Sequence, residues 1–344
     1  CSWSRGLDGP PIGVSGQTGR MTHQCFDVEI RDHIAHVVLK RGDELNTMTP
    51  AFWNELPEIV NEISDAGSAR VIVLSSTGRH FTAGMDLSVF TAGGLNDDGL
   101  EAGRKHARLR QTALHLQKSF SCLEEARMPV LAAVQGGCIG GGVDMVTACD
   151  MRYATADAFF CIQEINIGMT ADVGTLQRLP KLIPEGVARE LAYTGARMPA
   201  ERAREVGLVN EVYDDHQAML EGVMEIAAEI ARKSPLAIWG TKETVNYSRD
   251  HSVADSLNYI ATWQSGMFQP EDMIASFGAQ SGDADPEFAP LPPYPAACEP
   301  SRGQAPRGFT RSSGAARCSP LPPPCARQAR SVRKWRLLGR VSSA

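Results

Sequence analysis

Two carboxylates stand eight residues apart in a mild, largely apolar stretch, QEINIGMTADVG at residues 163–174. They belong to Glu164 and Asp172. Two acids that face one pocket can move protons, because one can donate while the other accepts. The same residues could instead serve structure, Glu164 by pairing with an arginine and Asp172 as the N-cap of a helix predicted from VGTLQRLP. The elements around them must decide between these interpretations.

A glycine-rich turn, QGGCIGGGVD at residues 135–144, precedes this stretch and leads into a predicted helix. A helix start presents unpaired N–H groups, which favour an anion or an oxygen that develops negative charge. The turn is not a P-loop, since no Lys-Ser/Thr pair follows, and it does not fit GxGxxG. Close packing of a helix on a sheet would explain the glycines equally well. Asp144 is either a third acid of a site or a charge that stabilises this helix N-terminus.

A second turn, RHFTAGMDL at residues 79–87, follows the predicted strand ARVIVLSST. Its small residues would also expose backbone N–H groups, so the two turns together could offer two donors to one oxygen. We expect His80 to be structural, and Asp86 to be a turn or cap residue.

The elements that must position these groups alternate between strand and helix. A hairpin is predicted around a tight turn at Asp32–His33. A helix is predicted to begin at Pro50, with Thr49 as N-cap, and to end at Gly67. Four or five amphipathic helices follow between about residues 174 and 268. The order predicts an α/β fold with a β/α half followed by a helical half.

In combination, three motifs resemble those of the crotonase (enoyl-CoA hydratase/isomerase) superfamily. They are FTAGMDL, AAVQGGCIGGGVDMVTACDMRYAT and FFCIQEINIGMTADVGTLQRLPKLI, and the resemblance runs from about residue 26 to residue 277. Each motif is degenerate alone, whereas three in this order and spacing are specific. The resemblance implies a ClpP/crotonase-like spiral of ββα units with a C-terminal helical region used for trimerisation.

The resemblance also implies an acyl-CoA thioester substrate, no metal, and no cofactor, because CoA is part of the substrate. The oxyanion hole of the superfamily maps onto the backbone N–H groups of Met85 and Gly141. A thioester enolate held there is stabilised electrostatically. The turn implied to bind substrate consists of Ala83, Gly84, Met85, Asp86 and Leu87.

The acids distinguish branches of the superfamily. Enoyl-CoA hydratases carry glutamates at the positions of Asp144 and Glu164, and usually glycine at that of Asp172. The trio of this chain is similar instead to the branch that converts 3,5-dienoyl-CoA to 2,4-dienoyl-CoA in fatty-acid β-oxidation. By resemblance, Asp172 removes a proton from C2, Glu164 protonates C6, and Asp144 tunes or orients the pair. Coupled, raised pKa values are expected in a dry pocket.

Other functions remain open at this point. An enoyl-CoA hydratase or a Δ3-Δ2-enoyl-CoA isomerase would use the same scaffold. A non-enzymatic protein of this fold could bind RNA or a protein partner. The formal net charge of −6 argues against nucleic acid. Residues 281–344, however, carry ten Lys/Arg against four Asp/Glu, which leaves a weak version of the RNA hypothesis.

Composition and the resemblance together predict four regions. The composition-based regions are a disordered leader (1–21) and a Pro/Arg-rich disordered tail (281–344), and the resemblance implies the other two, a crotonase ββα core (22–200) and a helical oligomerisation region (201–280). Deleting the tail should leave activity intact. A homotrimer or homohexamer is implied by the resemblance. No apolar run approaches the roughly 20 residues that span a bilayer. The cytoplasm is expected, with mitochondria and peroxisomes left open. Nine scattered cysteines without a CxxC pair predict reduced, structural thiols.

Overall fold

The computed structural model describes residues 21–86, 89, 99–280 and 285–295 of the 344-residue chain. The predicted leader up to residue 20, Leu87 of the predicted substrate-binding turn, residues 90–98 and most of the predicted tail lie outside these residues.

The secondary structure alternates between strands and helices. The strands are β1 (Met21–Thr22), β2 (Phe26–Arg31), β3 (Ile34–Leu39), β4 (Val71–Ser76), β5 (Val130–Val134), β6 (Gly137–Ile139), β7 (Met151–Thr155), β8 (Phe159–Cys161), β9 (Met198–Pro199) and β10 (Glu211–Tyr213). The helices are α1 (Pro50–Ala66), α2 (Ala102–Glu125), α3 (Gly141–Thr147), α4 (Thr175–Leu182), α5 (Glu185–Thr194), α6 (Ala200–Glu205), α7 (His216–Ala231), α8 (Pro235–Ser248), α9 (Val253–Met267) and α10 (Pro270–Gln280). The predicted α/β class is confirmed.

Local sequence signals account for the first elements. The predicted hairpin joins β2 to β3 through Asp32 and His33, whose φ angles of 50° and 65° give the two-residue turn that suits twisted antiparallel strands. Helix α1 begins at Pro50 after Thr49, and it ends where Gly67 takes the left-handed conformation with a φ of 63°. These predictions are confirmed.

The strands form two sheets. The larger has the order β1-β2-β3-β4-β5-β7-β10, in which the strands from β3 to β10 run parallel, and the smaller has the order β6-β8-β9. Because β4 and β5 are parallel neighbours, the turns that follow them leave the same edge of the sheet. The two glycine turns at residues 79–87 and 135–144 therefore start side by side.

Helices cover both faces of the large sheet, so β4 is buried along its whole length. The side chains of successive β4 residues point alternately into two hydrophobic cores. Ile72 and Leu74 pack in the larger core with α1 and α2, while Val71 and Val73 pack with apolar residues of α7.

The region boundaries differ from those expected. Residues 201–280 are not only a helical region, because β10 completes the large sheet beside β7 and α7 covers one face of that sheet. The folded part also extends past residue 281. Phe288 and Leu291 are buried, and Arg70 and Arg127 donate hydrogen bonds to the carbonyl oxygens of Phe288 and Pro292.

The chain divides into a unit of residues 1–294 and a unit of residues 295–344, and all described residues except Pro295 belong to the first. Within the described ranges, no helix is both long enough and apolar enough to cross a bilayer.

Candidate active site

Asp144 lies in the first turn of α3 and is fully buried. Its Oδ1 accepts a hydrogen bond from the Thr175 backbone N–H at 2.6 Å, and its Oδ2 has no partner among the described residues. Burial raises the pKa of the Asp144 carboxyl to about 6, against the opposing effect of the Thr175 hydrogen bond. The acid therefore joins α3 to the start of α4, as well as standing at a helix N-terminus.

Glu164 lies on the 3₁₀ turn Gln163–Ile167 that follows β8. Its Oε2 is buried without a partner among the described residues, and its Oε1 lies against Gly140, where an added Cβ would be 3.2 Å from it. Burial, followed by the charges of Asp144 and Asp172, raises the pKa of the Glu164 carboxyl to about 7. The structure shows no ion pair between Glu164 and an arginine within the described ranges, so the structural alternative for this acid has no support.

Asp172 is exposed and stands three residues before α4. Its charge raises the pKa values of both Asp144 and Glu164, so the three carboxyl groups share one neighbourhood. The N-cap of α4 is Gly174 rather than Asp172, and α4 has no side-chain cap bond. The structure thus brings together the three acids that the sequence singles out.

The two glycine turns also meet. Met48 donates its N–H to the Gly84 carbonyl at 2.9 Å, and Asp86 donates its N–H to the Met48 carbonyl at 3.2 Å. These bonds leave the Met85 N–H without an acceptor among the described residues. The N–H of Gly141, the first residue of α3, likewise has no acceptor among them. A Cβ on Gly84 would be 3.6 Å from the Gly141 nitrogen, so the two turns are close neighbours.

Contacts with the loop before α1 hold the turn of residues 79–87 in place. Thr47 donates its hydroxyl to Asp86 Oδ2 at 2.9 Å. Thr82 donates its hydroxyl to the Asn46 carbonyl at 2.7 Å and accepts the Gly84 N–H at 3.1 Å. Asp86 is accordingly a residue that anchors the turn. Leu87, the last residue of the predicted substrate-binding turn, lies outside the described residues.

His80 and the described cysteines have structural environments. The Nδ1 of His80 accepts the Gly137 N–H at 2.8 Å, which ties one glycine turn to the other. Cys25, Cys122, Cys138, Cys149 and Cys161 are free and buried. Burial raises the pKa of the Cys122 and Cys149 thiols to about 12, which makes them poor nucleophiles. The structural predictions for His80 and for these cysteines are confirmed.

Sequence reasoning missed the residues that hold the acids. The Thr175 N–H fixes Asp144, and Gln117 Nε2 donates a hydrogen bond to the Asp172 carbonyl at 2.8 Å. Gln117 shares a face of α2 with Ser121 and Glu124, and their spacing was visible in the sequence. The target of that face was not visible, because it lies 55 residues further along the chain.

A family model described as enoyl-CoA hydratase/isomerase matches residues 29–281. The chain is 46% identical over 248 residues to the mitochondrial Delta(3,5)-Delta(2,4)-dienoyl-CoA isomerase of Homo sapiens. The aligned residues cover 72% of this chain and 76% of that relative. It is 39% identical over 259 residues to the peroxisomal Delta(3,5)-Delta(2,4)-dienoyl-CoA isomerase of Arabidopsis thaliana, covering 75% of this chain and 93% of that relative.

Solved structures are similar in fold as well. The enoyl-CoA hydratase from Bacillus anthracis superposes with a TM-score of 0.69 at 29% identity, covering 77% of this chain and 99% of that one. The enoyl-CoA hydratase from Mycobacterium tuberculosis H37Rv gives a TM-score of 0.66 at 29% identity, with 77% and 98% covered.

Proposed function

The chain belongs to the enoyl-CoA hydratase/isomerase family, and on that premise we propose that it is a dienoyl-CoA isomerase, which converts 3,5-dienoyl-CoA to 2,4-dienoyl-CoA in fatty-acid β-oxidation. The proposal depends on the observation that Asp172 precedes by three residues the Thr175 N–H that binds Asp144, and that its charge helps to raise the pKa values of Asp144 and Glu164. Removing a proton from C2 and delivering one to C6 requires two acids at different places along the acyl chain, and Asp172 and Glu164 provide them. The identity to named dienoyl-CoA isomerases supports the same reaction.

In the proposed mechanism, the thioester carbonyl oxygen accepts hydrogen bonds from the N–H groups of Met85 and Gly141. Both donors lack another acceptor among the described residues, so binding the oxygen breaks no existing hydrogen bond. Negative charge that develops on this oxygen is stabilised by donors already in place. The protons on C2, next to the carbonyl carbon, become more acidic as a result.

Two acids then move one proton each. Asp172 removes a proton from C2, the electrons shift through the conjugated system to C6, and Glu164 delivers a proton to C6. The double bonds move from positions 3 and 5 to positions 2 and 4. Asp172 then holds one extra proton and Glu164 lacks one, and exchange with water restores both. The exposure of Asp172 supports that exchange.

The electrostatics of the site support this division of roles. A carboxyl group with a pKa of about 7 is protonated to a large extent near neutrality, so Glu164 is suited to donate a proton. Asp144 contributes to that raised pKa through its charge, which is the tuning role proposed for it. The chemistry uses side chains and backbone N–H groups with no cofactor, and CoA is part of the substrate.

A direct assay separates this proposal from hydration. We expect turnover of 3,5-dienoyl-CoA to build the absorbance of a conjugated 2,4-dienoyl thioester. Rapid hydration of crotonyl-CoA together with an untouched diene would favour an enoyl-CoA hydratase and overturn the proposal. A shift of a lone 3-double bond, with the diene untouched, would favour a Δ3-Δ2-enoyl-CoA isomerase.

The acids are tested one at a time. We expect Asp172→Asn to abolish isomerisation while leaving binding of an acyl-CoA analogue intact. Asp214→Asn is the matched control, because Asp214 is exposed on the segment after β10. Asp172→Asn with unchanged isomerase activity would contradict the role of Asp172.

We further propose a homotrimer or homohexamer. Support comes from large apolar side chains exposed along the C-terminal helices, including Val253, Leu257, Ile274 and Phe277 at 77%, 62%, 64% and 59%. Light scattering on the purified protein tests this proposal, and a monomer at micromolar concentration would contradict it. The relatives have mitochondrial and peroxisomal names, which do not support the cytoplasmic expectation. Cell fractionation would decide the compartment.

A further inference from the structure

One face of α2 contacts residues 172–175, the segment that carries Asp172 and ends where α4 begins. Gln117, Ser121 and Glu124 are spaced by four and three residues, so they lie on the same side of the helix. The first of them, Gln117, donates its Nε2 hydrogen bond to the Asp172 carbonyl at 2.8 Å. The backbone of the proposed base is therefore bonded directly to α2.

The other two residues of this face bind Arg178 of α4. Arg178 donates from Nε and Nη2 to Glu124 Oε2 at 2.8 and 2.6 Å, and from Nη2 to Ser121 Oγ at 3.2 Å. The guanidinium lies over Gly174, where an added Cβ would be only 1.9 Å from Nη1. Gly174 also has a φ of 143°, which disfavours any side chain. The segment is thus held against α2 at its far end too.

Glu124 is also held by residues at the C-terminal end of α8. Arg249 donates from Nη1 to Glu124 Oε1 at 2.5 Å, and Asn246 donates from Nδ2 to the Glu124 carbonyl at 3.1 Å. Both Arg178 and Glu124 are largely buried, with side-chain exposures of 13% and 21%. Two nitrogens of Arg178 share one oxygen of Glu124, and a partly buried pair of this kind is screened less by solvent than an exposed one.

Packing and hydrogen bonds both hold this segment, since Val173 is buried in the larger core. A cavity of about 550 Å³ with a mixed polar and apolar lining borders Val173 and Gly174 on the side that faces α2, and Gln117 and Arg178 also line it. On this side of the segment, the hydrogen bonds made by Gln117 and Arg178 add to that packing. The same segment ends at Thr175, whose N–H binds Asp144.

We propose that Gln117, together with the Arg178–Glu124 pair, is a positioning element that sets the distance between Asp172 and the C2 carbon of the substrate. The inference rests on the proposed function, since it assigns Asp172 as the base. An exposed carboxylate on an irregular segment needs a fixed backbone to abstract a proton, because a displacement of about 1 Å can cost on the order of 100-fold in rate.

The test compares two glutamines. Gln117→Met keeps the side-chain length and removes the hydrogen bond to Asp172. Gln177→Met is the matched control, because Gln177 lines the same cavity and its side chain forms no hydrogen bond with a described residue. We expect Gln117→Met to lower kcat roughly 10- to 100-fold with a small change in KM. We also expect a larger isotope effect for substrate deuterated at C2, because proton abstraction becomes slower relative to the other steps.

The isotope effect separates positioning from a loss of folded protein. Unfolded molecules lower the apparent kcat but leave the isotope effect unchanged. Arg178→Lys is a second variant, which keeps the charge but loses the two-nitrogen contact with Glu124. It should show the same increase in isotope effect. If Asp172→Asn is inactive while Gln117→Met and Arg178→Lys match Gln177→Met in kcat and isotope effect, the positioning inference is overturned and the proposed function stands. If Asp172→Asn is fully active, Asp172 is not the base and the positioning inference fails with that assignment. If the parent protein leaves 3,5-dienoyl-CoA untouched, the proposed function itself fails.

Discussion

The Oδ1 of Asp144 lies 2.6 Å from the backbone nitrogen of Thr175, which donates its N–H to it, while the Oδ2 of the same carboxylate is buried without a partner among the described residues. This contact fastens the start of α4 to the first turn of α3. It leaves one buried oxygen whose charge acts on Glu164. The proposed general acid is therefore tuned by a residue that also has a structural task.

Replacing Asp144 by Asn should move the pH profile. The Asp144 charge helps to raise the pKa of Glu164 to about 7, and the proposed mechanism needs Glu164 protonated. The value of kcat/KM should thus fall as the pH rises through about 7 in the parent protein. In Asp144→Asn the raising charge is gone, so this alkaline limb should move to lower pH.

The asparagine can still accept the Thr175 N–H, so the fold should persist. Asp214→Asn, which alters an exposed acid, should leave the profile in place. An alkaline limb that stays put or moves upward in Asp144→Asn would contradict the tuning role.

Replacing Glu164 by Gln should change how stability depends on pH. The folded-state pKa of about 7 lies above the ordinary value of 4.5, so the folded protein binds more protons than the unfolded chain between these values. The parent protein therefore loses unfolding free energy as the pH rises from about 4.5 to 7. Glu164→Gln removes this loss, so its stability relative to the parent should rise by on the order of 1–3 kcal/mol between pH 4.5 and pH 8.

Urea unfolding at several pH values measures this difference. Glu62→Gln is the control, because Glu62 is exposed on α1. A constant difference between Glu164→Gln and the parent across this range would show that Glu164 is not destabilised in its charged form.

Gly140 should not tolerate a side chain. Its φ of 54° and ψ of −119° are unfavourable for other residues, at a cost of about 1–3 kcal/mol. A Cβ there would also lie 3.2 Å from Glu164 Oε1. We expect Gly140→Ala to lower the melting temperature and to reduce isomerase activity more than tenfold.

Gly186→Ala provides the comparison, because Gly186 lies in α5 with nothing within 4 Å of an added Cβ. It should be neutral or slightly stabilising, since alanine favours helix. Equal effects of the two substitutions would argue against the close contact at Gly140.

The boundary of the dispensable tail should lie near residue 295. Phe288 and Leu291 are buried at 8% and 7% exposure, and the Arg127 guanidinium lies 4.4 Å from the Tyr294 ring centre. A chain ending at residue 280 loses these contacts, and burying each apolar side chain contributes about 1.5–3 kcal/mol. We expect this truncation to lower the unfolding free energy by roughly 3 kcal/mol or more.

A chain ending at residue 295 retains all of these contacts and should unfold like the full chain. Thermal unfolding of the two truncations measures the difference. If both unfold at the same temperature, residues 285–295 contribute nothing to stability, and the boundary expected at residue 281 would be the better one.

Local signals in the chain were sufficient for much of the fold. The hairpin turn at Asp32–His33 and the limits of α1 at Pro50 and Gly67 depend on backbone preferences of a few neighbouring residues. The place of β10 in the large sheet could not be predicted this way. A three-residue strand carries little periodic signal, and its pairing with β7 depends on a partner more than fifty residues earlier.

The packing of residues 285–295 could not be predicted from the composition either. Their prolines and lack of periodicity indicate disorder, yet Phe288 and Leu291 find an apolar surface built by distant parts of the chain. The carbonyl oxygens of this segment accept hydrogen bonds from Arg70 and Arg127.

For the site, the sequence by itself determined which acids to consider and in what order they occur: Asp144, Glu164 and Asp172. Only the tertiary structure decided which of them are buried and what holds them. The pKa of a carboxyl group follows from its desolvation and from neighbouring charges, and both are set by segments that are far apart in the chain. For the same reason Gln117, an ordinary surface-type residue in the sequence, becomes the partner of the Asp172 backbone only after α2 and α4 have packed together.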